Sequence, residues 1–300
     1  MMTLEVPIKE VSMQGQNNQM TTAWNSEFYK TGYEGFESPE SFPTTKSLQD
    51  YRRLLLQKTE RQVAFIARHL GRRNLRVIDF GSGNGRLLVA LALEGMLKLG
   101  IGVEISQSRV AFAQQWTAEL NLSSIVHNVT ADALEYANFE RGTFDLAVCI
   151  TGAFGYFKPI RESAPVELLE KMRAAVIPSG CLLMELYQMP EKRKCMLSLN
   201  EGKLRTWQPL PTEDRFAYYL DDFEYCEDRR VLRHGKIFIG RNGMIDAGRV
   251  EVVAFYTDVQ LVSLLRQNGF YGAQIYEGFE DMPYFEGESP SLVVLATRSL

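Results

Sequence analysis

VIDFGSGNGR, residues 77–86, is the stretch on which the reading of this chain turns. An apolar run ends at Asp79-Phe80 and gives way to Gly81, Gly83 and Gly85 at alternate positions: a strand entering a tight turn and then a helix. Glycine is needed there because a Cβ would block both the turn and the approach of a ligand to the backbone. A similar turn opens dinucleotide-binding folds, and spacing separates the two cases. Those folds place a third glycine where this chain has Arg86, so no pyrophosphate is expected on the helix N-terminus. Glu104 ends the next strand, nineteen residues after Gly85. A carboxylate there can accept both hydroxyls of a ribose lying over the sheet edge.

Outward from this turn, short β-rich runs alternate with helical ones. The strands are LRVIDF (75–80), LGIGVEI (99–105), SIVHNVT (124–130), FDLAVCI (144–150) and GCLLMELY (180–187), and helical segments fall at 85–95, 106–120 and 163–176. Strands joined by crossover helices run parallel, which predicts an α/β, doubly wound sheet covered on both faces. A helix precedes them from an N-cap at Ser47 to Leu70, closed by Gly71. After residue 187 the alternation breaks. RFAYYLDDFEY, RRVLRHGKIFI and RVEVVAFY, with Asn242-Gly243 as a turn, predict an antiparallel insertion of about three strands and no helix. TDVQLVSLLRQNGF then reads as a helix capped by Thr257 and ended by Gly269. YGAQIYEGF and SLVVLATR follow, joined by about ten residues, too few for a crossover, so they pair antiparallel.

Composition narrows the function. In 300 residues, 45% are hydrophobic and 23% charged, and the net charge is −4, ordinary values for a globular enzyme. No global basic field exists to hold a phosphate backbone, so a nucleic-acid partner is not expected. Cys149, Cys181, Cys195 and Cys226 form no CxxC pair and only three histidines are present, which predicts neither a disulfide framework nor a metal site. Cys149 and Cys181 sit in apolar runs and read as buried thiols. The N-terminus has no long apolar core, so no membrane span is expected and the location is expected to be cytoplasmic. Residues 1–22 are polar and aperiodic, whereas WNSEFYKTGYEGFESPESFP from Trp24 packs aromatics between Gly and Pro, as a covering segment would. The organisation expected is a flexible N-terminus and aromatic lid over 1–46, a ligand-binding core over 47–187, the insertion over 188–256, and a helix and hairpin over 257–300 that complete the core.

The pattern hydrophobic-Asp-x-Gly-x-Gly-x-Gly, with an acidic residue ending the second strand, resembles motif I of class I methyltransferases that use S-adenosylmethionine (SAM). The resemblance spans roughly 45–300 and implies a Rossmann-like seven-stranded sheet with a closing antiparallel hairpin. It implies that Asp79, Gly81, Ser82, Gly83 and Gly85 lie at the methionine part of SAM and that Glu104, with Ile105 beside it, holds the ribose. Asp132 in TADALEY (130–136) resembles the acidic residue that reaches the adenine amino group, with Ala133 supplying a backbone N–H. ITGAFGYF (150–157) resembles the "SFGYF" loop of small-molecule methyltransferases, and lacks the prolines usual there in enzymes acting on DNA or RNA bases. Thr151 is placed with the cofactor, and Phe154, Tyr156, Phe157 and Glu185 with the substrate. Tyr29 and Tyr33 in the lead-in are placed beside the sulfonium, where a cation over a ring gains about 0.5–2 kcal/mol. Ser82 stands where the family often has Cys, and Asn84 where Thr is common.

Plainer readings stand beside these. The glycines fit any βαβ turn, Asp132 fits a helix N-cap, Phe154, Tyr156 and Phe157 fit simple packing, and Tyr29 and Tyr33 fit surface aromatics. The function expected is methyl transfer from SAM to a small-molecule acceptor, N-methylation first and O-methylation next, with a homodimer as the possible assembly. A base is needed only if the nucleophile arrives protonated. Tyr156 and His234 are the catalytic candidates, with Glu185 a third candidate base. The acidic stretch holding Glu277, Glu280, Asp281, Glu286 and Glu288 favours a cationic amine. Two rivals remain: a nicotinamide oxidoreductase, opposed by Arg86 and the closing hairpin, and a non-catalytic interaction protein on the same fold. Glu104, read as a strand-end carboxylate at an open crevice, is expected to contribute little to stability without ligand.

Overall fold

The computed structural model describes residues 44–198, 202–210 and 216–299, with backbone alone over 246–249. Helix α1 (Thr45–Leu70) is followed by β1 (Leu75–Phe80), α2 (Arg86–Leu93), β2 (Leu97–Glu104), α3 (Gln107–Glu119), β3 (Val126–Thr130), β4 (Phe144–Cys149), a 3-10 turn (Ala153–Tyr156), α4 (Ala164–Ala175) and β5 (Val176–Tyr187). Then come α5 (Pro190–Ser198), β6 (Lys203–Pro209), β7 (Phe216–Cys226), β8 (Val231–Gly240), β9 (Ile245–Ala254), α6 (Asp258–Gln267), β10 (Phe270–Glu277), β11 (Met282–Pro283) and β12 (Ser291–Arg298).

One sheet has the order β11-β10-β12-β5-β4-β1-β2-β3. Strands β1 to β5 pair parallel, and β12 enters antiparallel between β5 and β10. This is the expected seven-stranded plan, extended by the two-residue edge strand β11. Successive residues on a strand point to opposite faces, and here both faces are buried. Ile78, Phe80, Ala147 and Met184 pack under α4 and α6 through Leu168, Met172, Leu261 and Leu265. Val77, Leu146, Val148 and Leu183 pack under α1 and α2 through Phe65, Ile66, Leu88 and Leu91. That double burial is why the strands read as continuous apolar runs.

Three expectations are corrected. Thr44, not Ser47, caps α1. The Thr44 side chain accepts from the Ser47 N–H, and the Ser47 hydroxyl reaches back to the Thr44 N–H at 3.2 Å, a reciprocal box that puts Ser47 one turn inside the helix. The insertion has four strands in the order β6-β7-β8-β9, not three. It also opens with a helix, α5, which buries only Pro190, Arg193 and Met196.

The chain order reverses between β1 and β4, so the loops after these two strands diverge and leave a crevice at the carboxyl edge of the sheet. The loops still touch at its base, where a Cβ on Gly81 would stand 3.0 Å from the Ala153 Cβ.

Candidate active site

The crevice is a cavity of about 350 Å³. Its walls come from the glycine turn (81–84), the end of β2 (Val103, Glu104, Ile105), the loop after β3 (Ala131, Asp132, Ala133) and the loop after β4 (Ile150, Thr151, Ala153, Tyr156, Phe157), with Leu55, Arg86, Arg109, Ile160 and Tyr187 around them.

The glycine turn spends its amide protons on its own construction. Gly81 and Ser82 both donate to the Val103 carbonyl, Gly83 donates to Glu104 Oε2 at 2.9 Å, and Gly85 donates to the Ser82 carbonyl. A phosphate-binding loop keeps such N–H groups aimed at the anion; here these four are already paired within the fold. Gly83 has φ +57°, and a Cβ there would meet nothing nearer than Arg109 Nη1 at 3.6 Å, so any side chain would stand in cavity space. Gly85 serves packing: a Cβ would come within 2.9 Å of the Ala113 Cβ. The Ser82 hydroxyl is buried and is the atom a Cβ on Gly102 would strike, at 2.7 Å. Ser82 therefore meets the cavity without that hydroxyl.

Glu104 is 5% exposed and fixed from two sides, Oε2 by the Gly83 N–H and Oε1 by the Ser106 N–H, both at 2.9 Å. It is a buttress of the glycine turn, which corrects the expectation of a carboxylate with little structural role. Each oxygen keeps a further lone pair for a ligand hydroxyl. Asp132 does not cap a helix. Its Oδ1 accepts from the Leu134 N–H at 2.8 Å and holds a tight turn, with Ala133 alongside in the cavity wall. Asp79 lies outside that wall, 2% exposed, with Oδ1 buried and unpartnered. Burial pushes its carboxyl up to about 7, opposed by the Arg86 charge and reinforced by Glu104.

Sequence reasoning used Arg86 only to exclude a pyrophosphate. In the fold its guanidinium ties three elements together, donating to Thr59 Oγ1 (2.7 Å) and Gln62 Oε1 (3.1 Å) on α1 and to Thr151 Oγ1 (3.0 Å) after β4. All three acceptors are neutral, so among the described residues no carboxylate is hydrogen-bonded to the positive charge at the cavity wall. Thr151 is a β-branched residue at φ +60°, an unfavourable conformation. Its N–H donates to Glu185 Oε2 at 2.9 Å, and Gly152 N–H donates to the Glu185 carbonyl. Glu185 is 8% exposed, and burial raises its carboxyl above the usual range. It lines an adjoining groove, shared with Arg86, Thr151 and Tyr187, rather than the cavity itself. Burial and the Glu185 charge raise the Tyr187 hydroxyl to about 12.

Of the aromatic loop, Tyr156 and Phe157 line the cavity, while Phe154 is fully buried against Phe157 and Tyr256. Tyr29 and Tyr33 lie outside the described residues. His234 is on β8, and the structure links it to Tyr156 through Glu251 on β9, a residue the sequence reading passed over. The Tyr156 hydroxyl is 3.4 Å from Glu251 Oε2, which is 3.9 Å from His234 Nδ1.

The acidic tail has other work. Glu280 pairs with Arg61, Asp281 with Arg68 and His69, Glu286 with Arg230, and Glu277 accepts from the Ser289 hydroxyl. These contacts hold the closing hairpin to α1 and to the insertion, so the tail gives no independent argument for a cationic acceptor. All four cysteines are free; Cys149 is buried and Cys181 half-buried. Among the described residues, no helix is long and apolar enough to cross a membrane.

Comparison with known proteins agrees with this geometry. The methyltransferase-domain family matches residues 72–224, just over half of the chain. No curated protein matches the sequence. Among solved structures, the CcbJ methyltransferase of Streptomyces caelestis aligns at TM-score 0.66 and 16% identity, over 80% of this chain and 89% of its own. An amino pentose methyltransferase of Micromonospora echinaspora, solved with SAM bound, aligns at 0.54 and 17% identity over 89% and 95%. A sugar N-methyltransferase from a Streptoalloteichus species aligns at 0.52 and 15% identity over 99% and 100%. At these identities the structural likeness is one of fold, and the family match carries the assignment. The chain belongs to the class I SAM-dependent methyltransferases.

Proposed function

We propose that this enzyme transfers the methyl group of SAM to the amino group of a small acceptor of the amino-sugar kind, with a hydroxyl acceptor as the second reading. The observation that carries the cofactor side is the pairing of an internally bonded glycine turn with the buried Glu104 beneath it. The turn suits an uncharged or cationic ligand segment, and Glu104 retains acceptor capacity for two ribose hydroxyls. Asp132 and Ala133, in the cavity wall, are the residues assigned to an adenine edge, and Arg86 the positive charge assigned to an amino-acid carboxylate. When bound, SAM supplies an electrophilic methyl on a sulfonium, whose leaving group requires no acid.

The tasks left to the chain are to orient the acceptor, exclude water and take a proton if the acceptor arrives charged. Tyr156 stands between the cavity and the insertion and is the group placed to meet the acceptor. Glu185, by holding the strained Thr151, shapes the wall beside it. The amine preference draws on the two neighbours named as amino pentose and sugar N-methyltransferases. Thermal denaturation with SAM or S-adenosylhomocysteine tests the cofactor assignment. Ligand at about 100 times its dissociation constant adds roughly 2.7 kcal/mol of stability; no shift at millimolar ligand refutes it. Mass analysis of product from matched amino and hydroxyl sugars then decides between nitrogen and oxygen.

A further inference from the structure

The four-stranded insertion carries a cluster of titratable side chains that no cofactor contact uses. Antiparallel register puts Phe223 opposite His234 and His234 opposite Glu251, with Asp221 opposite Lys236 two pairs along. Residues two apart on a strand share a face, so Tyr219, Asp221, Phe223, His234, Lys236 and Glu251 all project from one side of the sheet. His234 Nε2 lies 2.5 Å from Asp221 Oδ1, with the Tyr219 hydroxyl 3.5 Å away. Lys236 is ion-paired with Glu251 Oε1. Phe223 stacks on the imidazole at 4.1 Å, and the Lys192 ammonium sits over the Phe223 ring at 3.9 Å.

Three features make this a path rather than a collection. Asp221 accepts the Nε2 proton, which leaves Nδ1 as the lone-pair nitrogen facing Glu251 Oε2. Tyr156 reaches the same carboxylate oxygen from the cavity, and it does so because Gly155 lets the 3-10 turn press against β9: a Cβ there would stand 2.9 Å from the Ala254 carbonyl oxygen. Exposure also rises along the series, from 8% for the Glu251 side chain to 16% for His234 and 17% for Asp221.

We propose that Tyr156, Glu251 and the Asp221–His234 pair form a proton relay leading from the acceptor to solvent. The inference rests on the reading of the acceptor as an amine. The acceptor's N–H proton passes to the Tyr156 oxygen as the tyrosine's own proton passes to Glu251 Oε2. Glu251 hands that proton on to His234 Nδ1 through one water, since their 3.9 Å separation is too long for a direct bond, and the imidazolium, held by Asp221, releases it to solvent. Tyr156 ends as it began, and one proton has left the nitrogen. Tyr156 is the catalytic residue of this scheme, and Glu251, His234 and Asp221 are positioning residues acting through it. Burial lowers the His234 pKa below the ordinary histidine value. The Asp221 hydrogen bond and the Glu251 charge work against that shift, and Lys236 adds to it. The imidazole is therefore neutral and able to accept.

With three histidines in the chain, imidazole ¹⁵N resonances of the full-length protein bound to S-adenosylhomocysteine can be assigned through a His234→Gln variant. The expected result is neutral His234 at pH 7 with its proton on Nε2, and a midpoint lower by roughly one pH unit in Glu251→Gln. In kinetics with glucosamine as the amine probe, Tyr156→Phe lowers kcat by about a hundredfold. Glu251→Gln and His234→Gln each lower it by roughly tenfold with KM nearly unchanged, and each displaces the acid limb of the kcat profile. An imidazolium at pH 7, a proton on Nδ1, or variants that change KM alone with an unmoved pH profile would overturn the relay. If S-adenosylhomocysteine binds but no amine is methylated, the amine reading fails and the relay falls with it; if the amine is methylated while the histidine state or the pH profiles disagree, the relay alone fails.

Discussion

Replacing Glu104 by alanine tests the link between fold and cofactor more sharply than any other single change. The carboxylate accepts the N–H groups of Gly83 and Ser106, both at 2.9 Å, from a position 5% exposed. Removing it strands two backbone donors, each worth about 1–3 kcal/mol where water does not replace the carboxylate. Water entering the vacated volume recovers part of this, so Glu104→Ala should lose about 2–4 kcal/mol of stability even without ligand. The same variant should lose the charge-assisted ribose contacts, about 1.5–3 kcal/mol or roughly ten- to a hundredfold in affinity. Glutamine is no mild replacement, because its NH₂ must face one of the two donors that the carboxylate oxygens now satisfy. Urea unfolding of the ligand-free proteins and calorimetric titration with S-adenosylhomocysteine separate the two effects. An unchanged urea midpoint in Glu104→Ala refutes the buttress; unchanged affinity refutes the ribose contact.

Other substitutions probe the rest of the site. Gly83→Val should reduce S-adenosylhomocysteine affinity at least tenfold or so, by filling cavity space and straining a residue at φ +57°. Gly71→Ala, at φ +60° with nothing near its Cβ, is the control: it bears a similar backbone cost and should leave affinity unchanged in the same titration. Arg86→Met should weaken S-adenosylhomocysteine by roughly tenfold but spare methylthioadenosine, which lacks the carboxylate; equal losses for both would remove that contact. Asp79 gives a pH test. Its carboxyl is raised from 3.8 to about 7 in the fold, so its contribution to stability is full below pH 3.8 and is lost as pH rises through about 7. Asp79→Asn should accordingly be more stable than wild type by a few kcal/mol at about pH 8, with a smaller gain at about pH 5; the same difference at both would contradict the assignment.

The parallel core was legible because burial on both faces leaves a strong apolar signature, and β1 and β12 match their sequence runs residue for residue. The parts missed are those where burial is slight. Strand β6 is exposed along most of its length and ends in proline, so KLRTWQP shows no alternation of apolar and polar residues. Helix α5, PEKRKCMLS, carries a run of four charged residues and presents no apolar stripe. Thr44 and Ser47 are both good capping residues, and only the reciprocal bonds show which begins the helix. The roles of Arg86 and Glu185 depend on residues brought together from α1, β4 and β5, which no local pattern encodes. Glu251 was within reach: a hairpin closed at Asn242-Gly243 brings it close to His234, and the structure pairs the two after a three-residue tip and a bulge between Lys236 and Ile237. Its isolation in the apolar run VEVVAF was the signal.

The most direct test of the account is a methyl-transfer assay with labelled SAM and paired amino and hydroxyl sugars, read by mass spectrometry. The account predicts S-adenosylhomocysteine formation that depends on the amine and a product carrying one added methyl on nitrogen, both abolished by Tyr156→Phe together with Glu104→Ala. Methylation confined to oxygen would contradict the acceptor assignment, and a folded protein that neither binds S-adenosylhomocysteine nor transfers a methyl group would contradict the whole.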